Sequence, residues 1–337
     1  MVFLRFSNFF GYVLFATILS CTLWTDNPPL PPEEIAMEEK EFAFEPWFTG
    51  PLIGSSAVCL DPGLWDIQPY FTVGSFDKFF DEHGNVVPTS TVTSVDFLGL
   101  INVGLVPGLD LELLFEEFCA HIHHKTTSSF GDITVFLGMQ LHQEDQNWPA
   151  IRLTFSERFP SGRYQHLSPF LEDLDGYVGS GCFTSEAALL FLKIVHWFYY
   201  HPIEFRLGIH QSVSSSARVH GFNSYGGGFG TDGTVKPSKA FAAIFSLEFA
   251  FTQQWIYAMD IWYKRYTRFR FSGYPGVDVD GNRAINSGSF AYWVVITPSL
   301  EYNLSATQGF IAGAYLTVLG RNTFKLNNFV LSYEILF

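Results

Sequence analysis

The sequence is short of charge. Only 15% of its 337 residues are Asp, Glu, Lys or Arg, against about 25% in typical soluble domains. Its 33 acidic residues outnumber the 19 Lys and Arg, which gives a net charge of −14. Phosphate binding needs clustered basic side chains, so this balance argues against a nucleic-acid partner. Such a chain either has an unusually apolar surface or lies against lipid.

Cysteine is also scarce, and the four cysteines are far apart in the sequence. None has the CxxC spacing of a zinc site, and we expect neither a bound metal nor a cofactor. Besides Cys21, three cysteines remain: Cys59, Cys119 and Cys182. An odd number in an exported chain leaves at least one thiol free or paired with another chain, and the sequence leaves open which.

The longest apolar stretch lies within residues 1–21, MVFLRFSNFFGYVLFATILSC. A single Arg5 followed by a short apolar run is typical of a signal peptide rather than of a membrane span. The final ILSC resembles a lipoprotein cleavage box, which makes Cys21 a lipidation candidate. Ordinary cleavage a residue or two later is the alternative. Either route predicts that the mature chain leaves the cytoplasm.

After residue 21 the sequence has no run of 18 uncharged apolar residues. The nearest candidate, AALLFLKIVHWFYY from Ala187, is interrupted by Lys193 and His196. Yet hydrophobic residues make up 47% of the chain and aromatic residues 18%. Backbone polar groups in a bilayer must be paired within the protein, which permits only helices and closed barrels. We therefore expect a barrel.

Segments of about ten residues that alternate apolar and polar side chains support this expectation. In AFAAIFSLEFAF, for example, Phe241, Phe245 and Phe249 share one face while Glu248 lies on the other. The predicted fold class is all-β: a transmembrane, antiparallel, up-and-down β-barrel of about 12 strands with a short N-terminal extension. The predicted strands are roughly 64–76, 92–105, 109–121, 131–143, 150–160, 182–195, 202–213, 239–251, 255–270, 289–303, 308–320 and 327–337.

Short and long connections alternate between these segments, as they do between periplasmic turns and outside loops. The predicted long connections are 77–91, 122–130, 161–181, 214–238 and 271–288, whereas 321–326 is shorter than the pattern requires. The last strand alternates up to Phe337, which resembles the C-terminal signal that the barrel-assembly machinery reads. We therefore expect the bacterial outer membrane as the location, with lipid and that machinery as partners.

Three regions follow from these patterns. Residues 1–21 form the predicted signal peptide, and a lipoprotein-type signal peptide is the alternative. Residues 22–63 begin as an acidic, proline-rich linker. Their more apolar end, WFTGPLIGSSAVCLDPG, either enters the lumen as a plug or only leads into the first strand. Residues 64–337 form the predicted barrel.

Strand parity predicts a set of charged and polar side chains that face the lumen. They could form a salt-bridge network that fills the barrel or a selective path for a solute; for most of them we expect the first role, since buried charges must pair or be hydrated. The candidates are Asp110, Glu112, Glu116, His142, Arg152, Arg158, Glu204, Arg206, His210, Glu248, Asp260, Lys264 and Glu301.

One pattern favours an enzyme. His210 and Ser212 repeat the His-x-Ser arrangement of outer-membrane phospholipase A, itself a twelve-strand barrel, and residues two apart on a strand share a face. However, parity places both side chains in the lumen rather than on the lipid side, and no third polar residue is evident beside them. We therefore predict no catalytic residue and keep a lipase as the least favoured alternative.

Three loop segments carry a family resemblance: RFPSGRYQHL (158–167), HGFNSYGGGFGTDG (220–233) and RFSGYPGVDVDGN (270–282). They resemble outer-membrane barrels of the MetA-pathway phenol-degradation family, in the versions of intracellular bacteria such as legionellae and chlamydia-like organisms. The resemblance implies a channel or passive transporter for a small, hydrophobic solute, whose identity the sequence does not give. The alternative is a structural or adhesive surface barrel with a closed lumen. The candidates for mouth contacts are Arg163, Tyr164, His166, Tyr225, Arg270 and Tyr274.

Overall fold

The computed structural model of the chain describes residues 46–122, 125–169, 179–198, 201–284 and 288–337. The predicted signal peptide, Cys21 and residues 22–45 of the linker lie outside these ranges. The strands are β1 (Trp65–Phe80), β2 (Val86–Val106), β3 (Leu109–Ile122), β4 (Lys125–Phe130), β5 (Ile133–His142), β6 (Ala150–Phe159), β7 (Thr184–Phe198), β8 (His201–Ser214), β9 (Ala217–His220), β10 (Asp232–Lys236), β11 (Ala240–Ala250), β12 (Trp255–Tyr266), β13 (Arg270–Tyr274), β14 (Ala291–Ser305), β15 (Gln308–Arg321), β16 (Thr323–Phe324) and β17 (Asn327–Leu336). Within the described ranges, no helix has the length and apolar character needed to cross a membrane.

Twelve of these strands form one closed, antiparallel barrel. The barrel strands are β1, β2, β3, β5, β6, β7, β8, β11, β12, β14, β15 and β17, each paired with its neighbours. The barrel closes because β1 pairs with β2 on one side and with β17 on the other. At this seam the backbones of Trp65 and Phe337 also exchange two hydrogen bonds, at 2.8 and 2.9 Å. Closure leaves no unpaired sheet edge in the bilayer.

The predicted class and the count of twelve strands are confirmed, but two predicted long connections are wrong. Most of 77–91 is strand, because β1 and β2 extend to a tight turn in which Asp81 accepts backbone hydrogen bonds from His83 and Asn85. Within 122–130, β4 pairs with residues 117–122 of β3, beyond the part of β3 that pairs with β5. Both stretches are polar because their strands extend beyond the bilayer, where alternation of apolar residues is not needed. The sequence pattern therefore does not reveal them as strands.

The outer wall is apolar. Large side chains that alternate with buried ones remain uncovered, among them Phe71, Leu137, Phe155, Phe245 and Leu300, which are 37–49% exposed. Trp65, Trp148, Trp197 and Trp255 are 43–63% exposed at the ends of strands next to the short turns. Tryptophan prefers the membrane interface, so the short-turn end carries an aromatic girdle. So extensive an apolar surface requires lipid around it.

The long-loop end carries a second, smaller sheet. Strand β10 pairs with β9 and β13, and Val219 and Val235 are fully buried within this sheet. Hydrogen bonds join the loops to one another: Leu167 donates to Phe222, and Phe229 and Val277 exchange two bonds. These bonds join the connections 161–181, 214–238 and 271–288. We call the described residues of these three connections, together with β9, β10 and β13, the loop cap.

A pair of arginine substitutions on one face of β14 tests the membrane position. Leu300 and Leu304 both face outward, 43% and 48% exposed, but Leu300 lies well inside the strand and Leu304 at its short-turn end. We expect Leu300→Arg to destabilise the barrel by about 2–4 kcal/mol and Leu304→Arg by about 0–1 kcal/mol, because the cost of a charge rises with depth in the bilayer.

Denaturant unfolding in lipid vesicles measures both values, and unsubstituted protein is the reference. Equal costs at the two positions would contradict the assigned depth of β14 in the membrane.

Candidate functional site

A stretch of chain lies inside the barrel. Residues 46–64, which we call the lumen segment, start at the short-turn end, where the carbonyl of Trp47 accepts a hydrogen bond from Asn303 and its amide approaches Gln253. They end where Gly63 donates to Gly104, just before β1. Their other partners lie in the short-turn halves of the barrel strands. The lumen segment therefore occupies that half of the lumen.

Two carboxylates on neighbouring strands bind the first part of the lumen segment. Glu301 accepts hydrogen bonds from the amide and hydroxyl of Thr49, at 3.3 and 2.9 Å. Asp260 accepts from the amides of Ile53 and Gly54, at 3.2 and 3.1 Å, and from two wall hydroxyls. A Cβ on Gly54 would lie 2.0 Å from the hydroxyl oxygen of Ser246. This close approach requires glycine.

An arginine between acids binds the next carbonyl. Arg206 donates to the carbonyl of Gly54 at 3.0 Å and to Glu204 at 2.5 Å, and its Nη2 lies 3.0 Å from a carboxylate oxygen of Glu248. These three charged side chains are 0–8% exposed. Glu204 and Glu248 thus balance and orient the guanidinium that holds the lumen segment.

The opposite wall binds the second part. Arg152 donates to the carbonyl of Ser56 at 3.1 Å and forms a 2.5 Å ion pair with Asp110, which accepts from the amide of Leu60 at 3.1 Å. Gln140 accepts from the amide of Cys59 and donates to the carbonyl of Ala57, each at 2.8 Å. The wall therefore supplies both donors and acceptors to the backbone of the segment.

Apolar contacts add less. Leu52 packs with Ile311 and Val330, and Ala57 with Leu190 and Leu192. These are small clusters for a segment of this length, so side-chain hydrogen bonds to backbone groups make up most of its attachment.

The remaining inward-facing candidates, apart from Glu112, lie closer to the long loops. Glu116 is half-buried on β3, and Arg158 is exposed on β6, where its charge acts on Glu116. Glu112 instead lies two residues from Asp110 in the short-turn half of β3, within electrostatic reach of Asp110 and Arg152. His210 lies 3.0 Å from Glu186. Lys264 lies among aromatic rings. This half of the lumen is separate from the contacts of the lumen segment.

The parity prediction fails for His142. A bulge between Gln140 and His142 places His142 opposite Ile151, and its ring lies 3.2 Å from Asp145 in the short turn. Backbone hydrogen bonds from Trp148 and Asn147 hold the pKa of Asp145 below its usual value. His142 therefore belongs to the rim, because the bulge interrupts the alternation on which parity depends.

The His-x-Ser pair does not form a catalytic arrangement. A third polar residue, Glu186, is present beside it, contrary to the sequence-based expectation, and it contacts Nδ1 of His210. However, the Nε2 edge of the ring bends towards Gly208, away from Ser212, and has no hydrogen-bond partner among the described residues. A base must contact the nucleophile that it activates.

Three of the mouth candidates hold the loop cap together. The hydroxyl of Tyr225 donates to the carbonyl of Ser180 at 2.6 Å, and burial raises the pKa of this phenol, so it stays a neutral donor. The ring of Tyr164 covers Gly181, and Arg163 donates to the carbonyl of His166 at 2.8 Å.

The other three candidates are exposed. His166 has the left-handed backbone conformation of a turn, with φ of 57°. Arg270 and Tyr274 lie at the two ends of β13, and Tyr274 is 64% exposed. These side chains are available to molecules outside the barrel.

Several residues of the site carry no charge and were missed for that reason. Gln140, Asn303 and Tyr315 bind the lumen segment, the last through the carbonyl of Leu52 at 3.3 Å. Parity applied to amides and phenols would have found them.

Asp132 was missed for a different reason. It accepts from the amides of Gly162 and Ser180 at 2.9 Å and lies at the break between β4 and β5, where alternation gives no signal. The three described cysteines are free thiols.

The Arg152–Asp110 pair yields a stability prediction. We expect Arg152→Met to destabilise the barrel by about 3–5 kcal/mol, because it leaves the carboxylate of Asp110 buried without its cation. The double variant Arg152→Met/Asp110→Asn should recover part of this loss, since no buried charge remains. Denaturant unfolding measures both.

The control is Arg218→Met on β9, which removes an exposed ion pair with Asp232 and should change the stability by less than about 1 kcal/mol. An Arg152 variant as stable as this control would contradict the buried pair.

Comparison with known proteins agrees with the architecture. No protein-family model and no curated protein matches the sequence. Among solved structures, the chain is similar to the COG4313 outer membrane channel from Pseudomonas putida F1, with 14% identity over 86% of this chain and 100% of that chain and a TM-score of 0.64. Lower similarity is found to the translocator domain of autotransporter NalP from Neisseria meningitidis (10% identity, 82% and 89% covered, TM-score 0.44) and to the P. putida toluene transporter TodX (10%, 83% and 91%, 0.32). With its closed wall and apolar outer surface, the chain is a β-barrel of the bacterial outer membrane.

Proposed function

We propose that the chain is a channel or passive transporter for a small solute of hydrophobic character, and that the lumen segment is its plug. The observation that carries this proposal is the way the segment is held: charged wall residues bind its backbone in one half of the lumen. A path from the loops to the periplasm would have to pass it.

The chemistry of these contacts suits a plug that can leave. Asp260, Arg206 and Arg152 lose backbone partners if the segment moves, but water can replace each of those partners. An apolar wall of the same area would instead oppose hydration. A charged wall thus tolerates both a filled and a water-filled lumen.

The hydrophobic character of the solute is supported by the other half of the lumen. Trp262, Tyr266 and Trp293 surround Lys264 there, and Phe76 and Phe118 pack with a buried valine on the facing strands. Membership of the MetA-pathway phenol-degradation family would agree with this lining. The three segments that suggest it, 158–167, 220–233 and 270–282, all contribute to the loop cap.

A structural or adhesive surface barrel is the second candidate, and a specific observation favours it. The loop cap is tied by many hydrogen bonds and has a buried core of its own, with Ala217, Val219 and Val235 at most 1% exposed. In that case the lumen segment would be a permanent filling, and the exposed His166, Arg270 and Tyr274 would meet other molecules.

Single-channel conductance separates the two candidates. We expect residues 22–337, refolded into a planar bilayer, to conduct little or in brief openings, and the same chain lacking residues 46–60 to conduct steadily, because the latter has an empty short-turn half. A chain lacking only residues 22–45 retains the lumen segment and is the matched control. Silence of the chain that lacks residues 46–60, with a folded barrel shown by heat-modifiable gel mobility, would favour the closed structural barrel.

A point substitution gives a milder form of this test. Asp260→Ala removes the acceptor of two backbone amides of the lumen segment, so we expect its open probability to exceed that of the unsubstituted chain by at least severalfold. Asp232→Ala, which removes an equally charged side chain from β10 outside the barrel wall, should leave the open probability unchanged. Identical gating of the two variants would contradict a plug held by Asp260.

A further inference from the structure

A lysine in the long-loop half of the lumen lies among aromatic rings. The ammonium of Lys264 lies 5.4 Å from the ring centroid of Trp262, 5.3 Å from Tyr266 and 6.0 Å from Trp293. In the described part of the chain it has no hydrogen-bond or ion-pair partner. Ring faces attract a cation but accept none of its three N–H groups in a directed hydrogen bond. The N–H groups of the half-buried Lys264 are therefore available to an oxygen acceptor that enters the lumen.

The register of the strands places these rings on the lumen side. Asp260 faces inward, as its bonds to the lumen segment show, so Trp262, Lys264 and Tyr266 on the same strand face inward too. Trp293 is the register partner of Lys264 on β14. Lys264 lies four residues from Asp260, about 13 Å farther towards the long loops. The cluster is thus above the lumen segment and independent of it.

Small neighbours leave room beside the lysine. On the other side of Lys264, its register partner is Ala242, whose own partner on β8 is His210. The ring of His210 turns towards Gly208, so only a methyl group separates the lysine from the histidine along this row. We call this part of the lumen wall, where the small Ala242 lies beside an ammonium, two indole rings and a phenol, the recess.

Other polar groups around the recess also lack partners. The indole N–H of Trp262 and the Nε2 of His210 are buried with no hydrogen-bond partner in the described residues. Unpaired buried polar groups are uncommon and call for a ligand or water. An anion that accepts from Lys264 could also accept from the indole N–H of Trp262. It could accept from Nε2 of His210 only when the imidazole carries both protons, because Nδ1 already donates to Glu186.

The local charge favours an anion. The acid closest to the recess, Glu186, is paired with His210 at 3.0 Å and is also within electrostatic reach of Lys264 and Arg158. The other acids of the barrel wall that contact the lumen segment lie in the short-turn half, where they bind the segment or Arg206 and Arg152. Arg158 also acts on Glu116. Glu186 is thus shared among several bases, and Lys264 has no acid within 4.0 Å among the described residues.

We propose that Lys264, Trp262, Tyr266 and Trp293 form a binding site for small aromatic carboxylates. The carboxylate accepts hydrogen bonds from the ammonium, and the flat ring of the ligand lies against the indole and phenol side chains. This inference deepens the proposed channel function and rests on it, since the ligand would be the solute that passes the barrel.

Binding of three probes of similar size and different charge tests the site. Benzoate, benzamide and benzylammonium are titrated by calorimetry into the full chain, refolded in detergent. We expect benzoate to bind more tightly than benzamide, and benzylammonium to bind most weakly, because the lysine repels it. A preference for benzylammonium, or equal affinity for all three, would overturn the proposal.

Matched variants locate the site. Lys264→Met keeps the length and apolar stem of the side chain and should weaken benzoate by roughly tenfold to a hundredfold, while the affinity for benzamide changes little. Lys239→Met removes an equal charge at an exposed position just before β11 and should leave both affinities unchanged. Unchanged benzoate binding by Lys264→Met would overturn the assignment, and gel mobility shows whether each variant is folded.

Conductance is recorded on the same samples, so that this inference and the channel proposal fail separately. A barrel that conducts but does not bind benzoate retains the channel function and refutes the carboxylate site. A barrel that binds benzoate through Lys264 but does not conduct even when residues 46–60 are removed supports the site and refutes the channel.

Discussion

The interior of this barrel depends on hydrogen bonds between charged wall residues and the backbone of residues 46–64. Asp260, Arg206 and Asp110 are almost completely buried, and burying a charge without compensation is costly. Here amides of the lumen segment approach the acids and a carbonyl approaches the arginine. Backbone dipoles thus replace the water that would otherwise hydrate these side chains. The buried charges of the wall therefore depend on the lumen segment, and the segment depends on them for its attachment. The apolar clusters between the two are too small to replace this network.

The two halves of the lumen differ in how their charges are satisfied. In the short-turn half, Arg206 has Glu204 and Glu248 as neighbours, and Arg152 has Asp110. In the long-loop half, the cation Lys264 faces rings instead of carboxylates. The first arrangement needs nothing from outside the chain except the lumen segment. In the second, the N–H groups of Lys264 are available to an incoming acceptor, so binding is assigned to the long-loop half and gating to the short-turn half.

The sequence was sufficient for the barrel because the bilayer imposes strict alternation. Segments such as 240–250 place an apolar residue, mostly phenylalanine or leucine, on lipid at every second position, and the twelve strands could be counted from this pattern. Beyond the bilayer the constraint disappears. The polar ends of β1 and β2 that lie away from the short turns, and the polar strand β4, were therefore predicted as loops, although they are paired strands. Parity failed at His142 for a related reason, since a bulge shifts the face without leaving a mark in composition.

The site was less predictable than the wall. Parity gave Asp110, Arg152 and Asp260 as inward-facing, but pairing partners depend on distances across the lumen, between residues more than 200 positions apart for Asp260 and Gly54. The apolar, glycine-containing stretch at 47–63 was compatible with a plug and with a simple lead-in, because glycine predicts close approach without naming the partner.

Ser246 approaches Gly54 so closely that a Cβ there would clash with it, and spacing in the sequence could not identify this partner. The recess around Lys264 shows the same limit from the other side. Its four residues come from β12 and β14, and alternation predicts that they face inward, yet only the register between the two strands places Trp293 opposite the lysine. A lumen-facing lysine is ordinary in a sequence. A lysine that lies among three rings, with no hydrogen-bond acceptor in the described part of the chain, is a property of the folded barrel. This arrangement is what connects the wall to a ligand.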